Sequence, residues 1–191
     1  MFRPLIVAAA VVVVVAVGLR AEAKKPPPKV HLTFTYGAAV SYPGGTQVFT
    51  VSKKKDLEVV GPEPSQLLLQ CISRTKTPAN VRQVTTFNLL IARVDLAHQT
   101  YPLTLTPGSG LPRAEFVVQA HPGGVAQTAG SWDTFQNPPI AVTYDSYDAK
   151  RRRLSGHFHG SLPDVLTNDP NNPLEILSGE FVVVVPKVDV K

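Results

Sequence analysis

Turn-forming residues divide this 191-residue chain into short segments. Pro and Gly, the strongest turn formers, occur 18 and 13 times and punctuate most of its length. Between the turns, segments such as 30–36 alternate apolar and polar residues, which is the period of a half-buried strand. No window long enough for a helix has a convincing helical repeat. The pattern therefore predicts an all-β fold with little helix, either an antiparallel β-sandwich or a flattened barrel.

The first 23 residues have the organisation of a secretory signal peptide. Arg3 supplies a basic start, residues 5–17 are almost wholly Leu, Ile, Val and Ala, and Ala21 and Ala23 form a small-residue cleavage site. The apolar stretch is shorter than the roughly 20 residues of a membrane-spanning helix. We therefore expect cleavage after Ala23, which leaves a secreted or periplasmic protein with no transmembrane anchor. A stiff Pro-rich leader (24–29) and one β-domain (30–191) would follow.

Composition limits the classes of function. A net charge of +5, from 19 basic and 14 acidic residues, is too mild for the dense basic face of a nucleic-acid-binding protein. At 43% hydrophobic and 17% charged residues, the chain has enough apolar material for a core. Cys71 is the single cysteine, so no internal disulfide can form. Because its neighbours are apolar, we expect a buried thiol rather than a nucleophile.

Strand patterns follow one another after residue 29. Gln47–Val51 and Leu57–Val60 flank a charged tip and predict a hairpin. Segments 140–147 and 151–162 predict a second hairpin. The segment 174–185 is apolar on both faces near its end, which favours a central position in a sheet. Other predicted strands are Val30–Tyr36, Gln66–Ile72, Gln83–Asp95, Tyr101–Thr106 and Ala114–Ala120.

Glycine and phenylalanine recur together in the last third of the chain. One face of the strand within 151–162 consists of Leu154, Gly156, Phe158, Gly160 and Leu162. Glycines beside Phe158 leave room for its ring or for a facing sheet, so we expect Phe158 to anchor the core. The same pairing returns at Gly179 and Phe181.

Four motifs mark the second half of the chain: Gln99–Leu103, Ile140–Asp145, Leu154–Leu162 with a G-x-F-x-G-x-L strand, and Ile176–Phe181 with a closing G-x-F. In these motifs the chain resembles a group of uncharacterised exported bacterial proteins, many of them lipoproteins. The likeness covers roughly residues 97 to 185. The chain departs from the group in having Gln99 and Thr100 where glycine is usual, and in lacking a lipid-accepting cysteine. The resemblance implies an all-β exported domain and no established activity.

His157 and His159 are the candidate metal ligands. Alternate residues on one face of a strand lie about 7 Å apart, which lets two imidazoles share one zinc or copper ion. A site needs a third ligand, for which His31, His98 and His121 are the available histidines. The alternative is a pair of partly exposed histidines on the polar side of a strand.

Three other features have alternative interpretations. The basic run Lys150–Arg153 either contacts envelope phosphates or acidic polysaccharide, or is a solvated hairpin end that discourages aggregation. Trp132 is either a sugar-stacking platform in a loop or a plug at one end of the sandwich. The Asp- and Asn-rich segment 164–172 is typical of turns and lacks the ligand spacing of a calcium loop.

The sequence contains no Gly-x-Ser-x-Gly, His-Glu-x-x-His or phosphate-binding glycine motif. We therefore expect an exported, non-enzymatic binding or structural envelope domain, with no cofactor and an unidentified ligand. One alternative is an extracytoplasmic metal-binding module that uses His157 and His159. Another is a carbohydrate- or lipid-binding domain, with its ligand between the sheets or at a loop end.

Overall fold

The computed structural model describes residues 30–39, 44–50, 56–61, 63–77, 79–105, 111–134 and 140–187. The expected signal peptide (1–23) and Pro-rich leader (24–29) lie outside the described residues. The residues that are described form β-strands and two short 3₁₀ turns, Leu96–His98 and Pro122–Gly124. The all-β prediction with little helix is confirmed.

The strands form two antiparallel sheets. In chain order they are β1 (His31–Tyr36), β2 (Gly45–Thr50), β3 (Leu57–Val60), β4 (Gln66–Lys76), β5 (Arg82–Ala92), β6 (Leu103–Thr104), β7 (Arg113–His121), β8 (Gln127–Asp133), β9 (Ala141–Asp148), β10 (Arg153–Leu162) and β11 (Leu174–Val184). One sheet has the order β2-β1-β11-β10-β9-β6 and the other has the order β3-β4-β5-β7-β8. Within the described ranges no strand pairing closes the two sheets on each other. The architecture is therefore the sandwich and not the flattened barrel.

Period-two alternation places the core between the sheets. On β4, Leu67, Leu69 and Cys71 are fully buried, and so are their respective partners on β5, which are Ile91, Leu89 and Phe87. The side chains between these residues on each strand are only partly buried, because they point to the outer face of the sheet. Both predicted strands are therefore present, and the inward residues of each lie on one parity.

The C-terminal strands follow the prediction closely. The β9 and β10 strands pair as an antiparallel hairpin, with Leu154 opposite Tyr147. The β11 strand is central, since it pairs with β10 on one side and β1 on the other. A central strand is covered on both edges and on its inner face, which suits the apolar run at its end.

The predicted hairpin between β2 and β3 is wrong. The β2 strand is an edge of the six-stranded sheet, whereas β3 is an edge of the five-stranded sheet. Phe49 of β2 and Leu57 of β3 are both buried in the core, so each strand contributes to a different wall of it. Alternation reveals which side chains point inward but not which sheet a strand joins. The charged tip at 53–55 lies outside the described residues.

Other strand boundaries differ from the sequence pattern. The β6 strand has only two residues, and β5 ends at Ala92 rather than at Asp95. The β8 strand was not predicted, because Gly130 and the small polar residues around it carry little strand propensity. Pairing with β7 over its length holds β8 in the sheet regardless of that propensity.

Twice in the β10–β11 pair, a glycine of one strand lies opposite a phenylalanine of the other. Phe158 lies opposite Gly179, and Gly156 lies opposite Phe181. A Cβ atom built on Gly179 would overlap the ring of Phe158, and one on Gly156 would lie 2.6 Å from Cζ of Phe181. Each ring therefore occupies the space that the neighbouring strand leaves empty. The expected core anchor is confirmed, and the room for the Phe158 ring comes from Gly179 on the neighbouring strand.

The same rings join the two sheets. Phe34 of β1 is the other neighbour of Gly179, and its ring centroid lies 6.2 Å from that of Phe158. Phe87 of the opposite sheet lies 4.4 Å from Phe34 and 5.7 Å from Phe158, measured between ring centroids. Aromatic pairs at these separations contribute about 0.5–1.5 kcal/mol each beyond the area they bury.

We expect Gly179→Ala to lower the free energy of unfolding by about 1–3 kcal/mol, because the added methyl group forces the Phe158 ring from its position. The matched control is Gly37→Ala. A Cβ atom at Gly37 would lie 3.7 Å from that of Glu175, which is an ordinary contact, so the change should stay within about 0.5 kcal/mol. Urea unfolding of both variants measures the difference. Equal effects of the two substitutions would contradict this account of the core.

Candidate functional site

His157 and His159 lie on the outer face of the six-stranded sheet, on either side of the inward-pointing Phe158. Both side chains are exposed. Nδ1 of His157 lies 2.8 Å from Oδ1 of Asp145 on β9, which makes an imidazole–carboxylate pair on the surface. The prediction that the two histidines share one face of the strand is correct.

The other histidines do not join this pair. Nε2 of His31 lies 3.5 Å from Oε1 of Glu180, and Nδ1 of His98 lies 2.8 Å from Oδ2 of Asp95 in the first 3₁₀ turn. His121 ends β7 in the opposite sheet. Among the described residues, no group of three or more His, Cys, Asp or Glu side chains is arranged to hold a metal ion. The geometry therefore gives His157 and His159 no third ligand from the described ranges.

A shallow polar depression adjoins His157. It measures about 310 Å³, and the outward side chains that line it are Thr33, Thr35, His157, Ser178 and Glu180. Two of these hydroxyls already have partners in β2: Oγ1 of Thr33 donates to the carbonyl of Gln47, and Oγ1 of Thr35 lies 3.1 Å from Oγ1 of Thr46. The side chains of the depression offer a ligand an imidazole, a carboxylate and hydroxyl groups.

Trp132 is fully buried on β8, so the sugar-stacking interpretation is wrong and the buried one is correct. Its ring fills the space above Gly130 and lies 6.0 Å from the ring of Phe116, between centroids. Nε1 of Trp132 donates to the carbonyl of Asn172 at 3.0 Å. That bond satisfies the one polar atom of a side chain that otherwise packs as apolar.

Asp164 organises the loop that holds Trp132. Its carboxylate accepts hydrogen bonds from the backbone of Leu166 and Thr167, from the Thr167 hydroxyl and from the Asn172 amide. Burial alone would raise the pKa of Asp164, but these hydrogen bonds outweigh it and lower the pKa. Asp164 is therefore an anchor for turns, as the Asp- and Asn-rich sequence predicted. We call Trp132, Asn172 and Asp164 the tryptophan cluster.

The basic run of the β9–β10 hairpin makes local contacts. The Arg151 backbone and guanidinium bond to Asp148, and Nη1 of Arg152 donates to the carbonyl of Val185 at 3.2 Å. Arg153 already belongs to β10. These contacts suit the end of a hairpin better than a compact anion-binding patch.

Cys71 and Tyr144 are the buried titratable groups whose pKa values are raised by burial. The Cys71 thiol is fully buried, so it stays protonated at neutral pH and is no nucleophile. Burial, and to a lesser extent Tyr101, likewise raises the pKa of Tyr144. Its hydroxyl donates to the carbonyl of Ala92 at 2.5 Å, which ties β9 of one sheet to the end of β5 in the other.

An apolar cleft opens beside this tie, at one end of the sandwich. It measures about 510 Å³ and lies between β6, the paired ends of β4 and β5, and the start of β7. Its apolar lining consists of Ala92, Val94, Leu103, Leu105, Leu111 and Pro112, and its polar lining consists of Ser65, Gln66, Gln99 and Thr104. Within that described lining no side chain titrates.

Sequence reasoning missed this cleft. Its walls come from four separate stretches of chain, 65–66, 92–94, 99–105 and 111–112. Of these, 99–105 contains the motif Gln99–Leu103 and the alternating residues Tyr101, Leu103 and Leu105, which predict a strand. That pattern does not indicate that the segment faces other apolar segments.

Comparison of the chain with protein families, curated proteins and solved structures gives no match. The resemblance to exported bacterial proteins therefore stays a prediction. In the part of the chain that the structure describes, no helix has the length and apolar character needed to cross a membrane.

We expect Asp164→Asn to destabilise the fold by about 1–3 kcal/mol at pH 7. Both carboxylate oxygens of Asp164 accept hydrogen bonds, whereas asparagine would place an NH2 group, which can only donate, opposite donors. The lowered pKa means that the ionised carboxylate stabilises the fold above the unfolded pKa of about 3.9, and that this contribution disappears as pH falls through the folded value. Melting temperatures of wild type and variant should therefore converge below about pH 4.

Asp169→Asn is the matched control for this experiment. The side chain of Asp169 accepts one exposed hydrogen bond, from the backbone of Asn171, and asparagine can accept the same bond. Its melting temperature should follow that of the wild type across the pH range. A constant gap between wild type and Asp164→Asn at all pH values would refute the role of the charged carboxylate.

Proposed function

We propose that this chain is an exported, non-enzymatic binding protein that holds an acyl chain, or a similar elongated apolar group, in the cleft between β6 and the ends of β4 and β5. The lining of the cleft carries the proposal. Its aliphatic side chains are interrupted by neutral polar groups alone, such as Gln66 and Gln99. The volume lies within the roughly 300–1,000 Å³ of typical ligand sites.

The neighbouring surface favours an elongated ligand. Gln66 and Ala92 form a cross-strand pair in the cleft, and the next outward pair along the same strands is Leu68 and Leu90. Those two leucines line an adjacent depression of about 200 Å³, together with Asn88, Arg113, Ala114 and Glu115. Residues two apart on a strand are separated by about 7 Å, so aliphatic side chains continue from the cleft along the sheet as far as these polar and charged residues. An extended chain would use this path, whereas a compact sugar would not.

The chemistry of the cleft favours binding over catalysis. Its described lining offers no acid, base or thiol, and the Cys71 thiol is buried with a raised pKa. Carbohydrate is the less favoured ligand, because Trp132 is buried away from solvent and supplies no stacking surface. A metal-binding function is less favoured because His157 and His159 lack a third ligand in the described residues.

Export rests on the composition of residues 1–23. We expect a bacterial host to release a mature protein that begins at Lys24, identified by mass spectrometry of the intact chain. Ala23→Phe should block processing, because a bulky residue does not fit the cleavage site. Recovery of a wild-type chain that still begins at Met1 would contradict export by this signal.

We expect the purified protein to raise the fluorescence of N-phenyl-1-naphthylamine, an uncharged apolar probe, and dodecanoate to displace it. Ala92→Leu should weaken binding at least about tenfold, because the larger side chain occupies the cleft. Ala141→Leu is the matched control, since it adds the same side chain on β9, opposite His159, at a residue that does not line the cleft.

Melting temperatures of both variants separate lost binding from lost fold. If Ala92→Leu and Ala141→Leu bind the probe as well as wild type does, the cleft is not the binding site. If wild type itself leaves the fluorescence unchanged, the proposal that the cleft holds an apolar chain is wrong.

A further inference from the structure

We propose that edge strand β2 pairs with its counterpart in a second copy of this chain, antiparallel about a twofold axis that passes through Val48. Such pairing would join two six-stranded sheets into one continuous sheet. The proposal is independent of the apolar cleft, which lies beside β6 at the opposite edge of the same sheet.

In the described residues β2 is paired on one side only. It matches β1 over six residues, Gly45 to Thr50, with no shift in register. An edge strand presents a row of backbone N–H and C=O groups that can accept another strand. Proteins usually prevent this by keeping such strands short, charged, proline-containing, bulged or covered. The β2 strand has no charged residue and no proline, and its pairing contains no bulge.

The other sheet edges in the described structure are protected. The β6 strand has two residues and follows Pro102, and β3 has four residues and carries Glu58. The β8 strand is covered by the chain after β10. The backbone of Asp133 donates to the carbonyl of Pro163, and that of Val165 donates to the carbonyl of Ser131. Of these described edge strands, only β2 is six residues long, has no charged residue or proline, and has no described segment bonded to its outer edge.

The exposed side chain of Val48 indicates the partner and the register. It is 66% exposed, although valine on a strand usually packs against a neighbour. A twofold axis makes an antiparallel strand complementary to itself, and β2 brings no like charges together. Two registers keep five residues paired. An axis at Val48 packs this valine against its counterpart, whereas an axis at Gln47 places it opposite Thr46. Apolar pairing selects the first.

Disulfide trapping tests this register. The native Cys71 is fully buried, so the thiol that Val48→Cys introduces is the accessible one. Directly opposed strand residues have Cβ atoms about 4.5–5.5 Å apart, so mild oxidation should give a covalent dimer. In Thr46→Cys the two thiols would be four residues apart along the pair, about 13 Å, and should not cross-link. Leu177→Cys, 62% exposed on central strand β11, should also stay monomeric.

Sedimentation at increasing protein concentration tests the association without cross-linking. Wild type should dimerise. Val48→Lys should raise the dimer dissociation constant at least about tenfold, because it places two like charges in contact at the axis. Leu177→Lys, with an equally exposed position in the same sheet, should dimerise as wild type does. Circular dichroism melting of each variant confirms that the fold is retained.

A wild-type chain that stays monomeric and a Val48→Cys variant that does not cross-link would overturn the proposal. So would a dimer that Val48→Lys leaves intact, because its interface would then lie elsewhere. Equal cross-linking of Val48→Cys and Thr46→Cys would contradict the register with its axis at Val48. It would indicate non-specific encounters between molecules instead.

Discussion

The absence of a side chain at Gly179 determines how the rest of this sandwich is arranged. Gly179 sits at the middle of central strand β11 and has phenylalanines on both sides, Phe34 of β1 and Phe158 of β10. The ring of Phe158 covers the glycine, and the space between the sheets is filled by Phe34, Phe158 and Phe87 together. Strands β1, β10 and β11 of one sheet and β5 of the other therefore meet at this point. An atom added at Gly179 would displace the ring of Phe158, which contacts all of the other three strands.

Around that centre, buried polar groups are paired in two places. In the tryptophan cluster, Trp132 donates to Asn172 and Asn172 donates to Asp164. At the end of β5, the hydroxyl of Tyr144 donates to the carbonyl of Ala92, and the guanidinium of Arg93 donates to the carbonyl of Pro186. These two bonds join the end of β5 to β9 and to the chain after β11, beside the apolar cleft.

Sequence patterns predicted the parts of the fold that depend on local period. Alternation assigned the inward face of β1, and the recurrence of glycine with phenylalanine located the core at Phe158. The same patterns failed where the answer depends on distant segments. They joined β2 and β3 as a hairpin, because alternation does not specify which sheet receives a strand. They also missed β8, whose place depends on β7, and the cleft, whose walls come from four stretches of chain. His157 and His159 were placed on one face correctly, but a third ligand would have had to come from other strands.

The two proposed surfaces are compatible because they occupy opposite edges of one sheet. The β2 strand is at one edge of the six-stranded sheet, and β6, which forms a wall of the cleft, is at the other. Pairing through β2 would therefore leave both clefts at the outer edges of a twelve-stranded sheet, each still open. The glycine–phenylalanine contacts of β10 and β11 lie between the two edges. Ligand binding and self-association would consequently act independently, since neither requires the residues of the other.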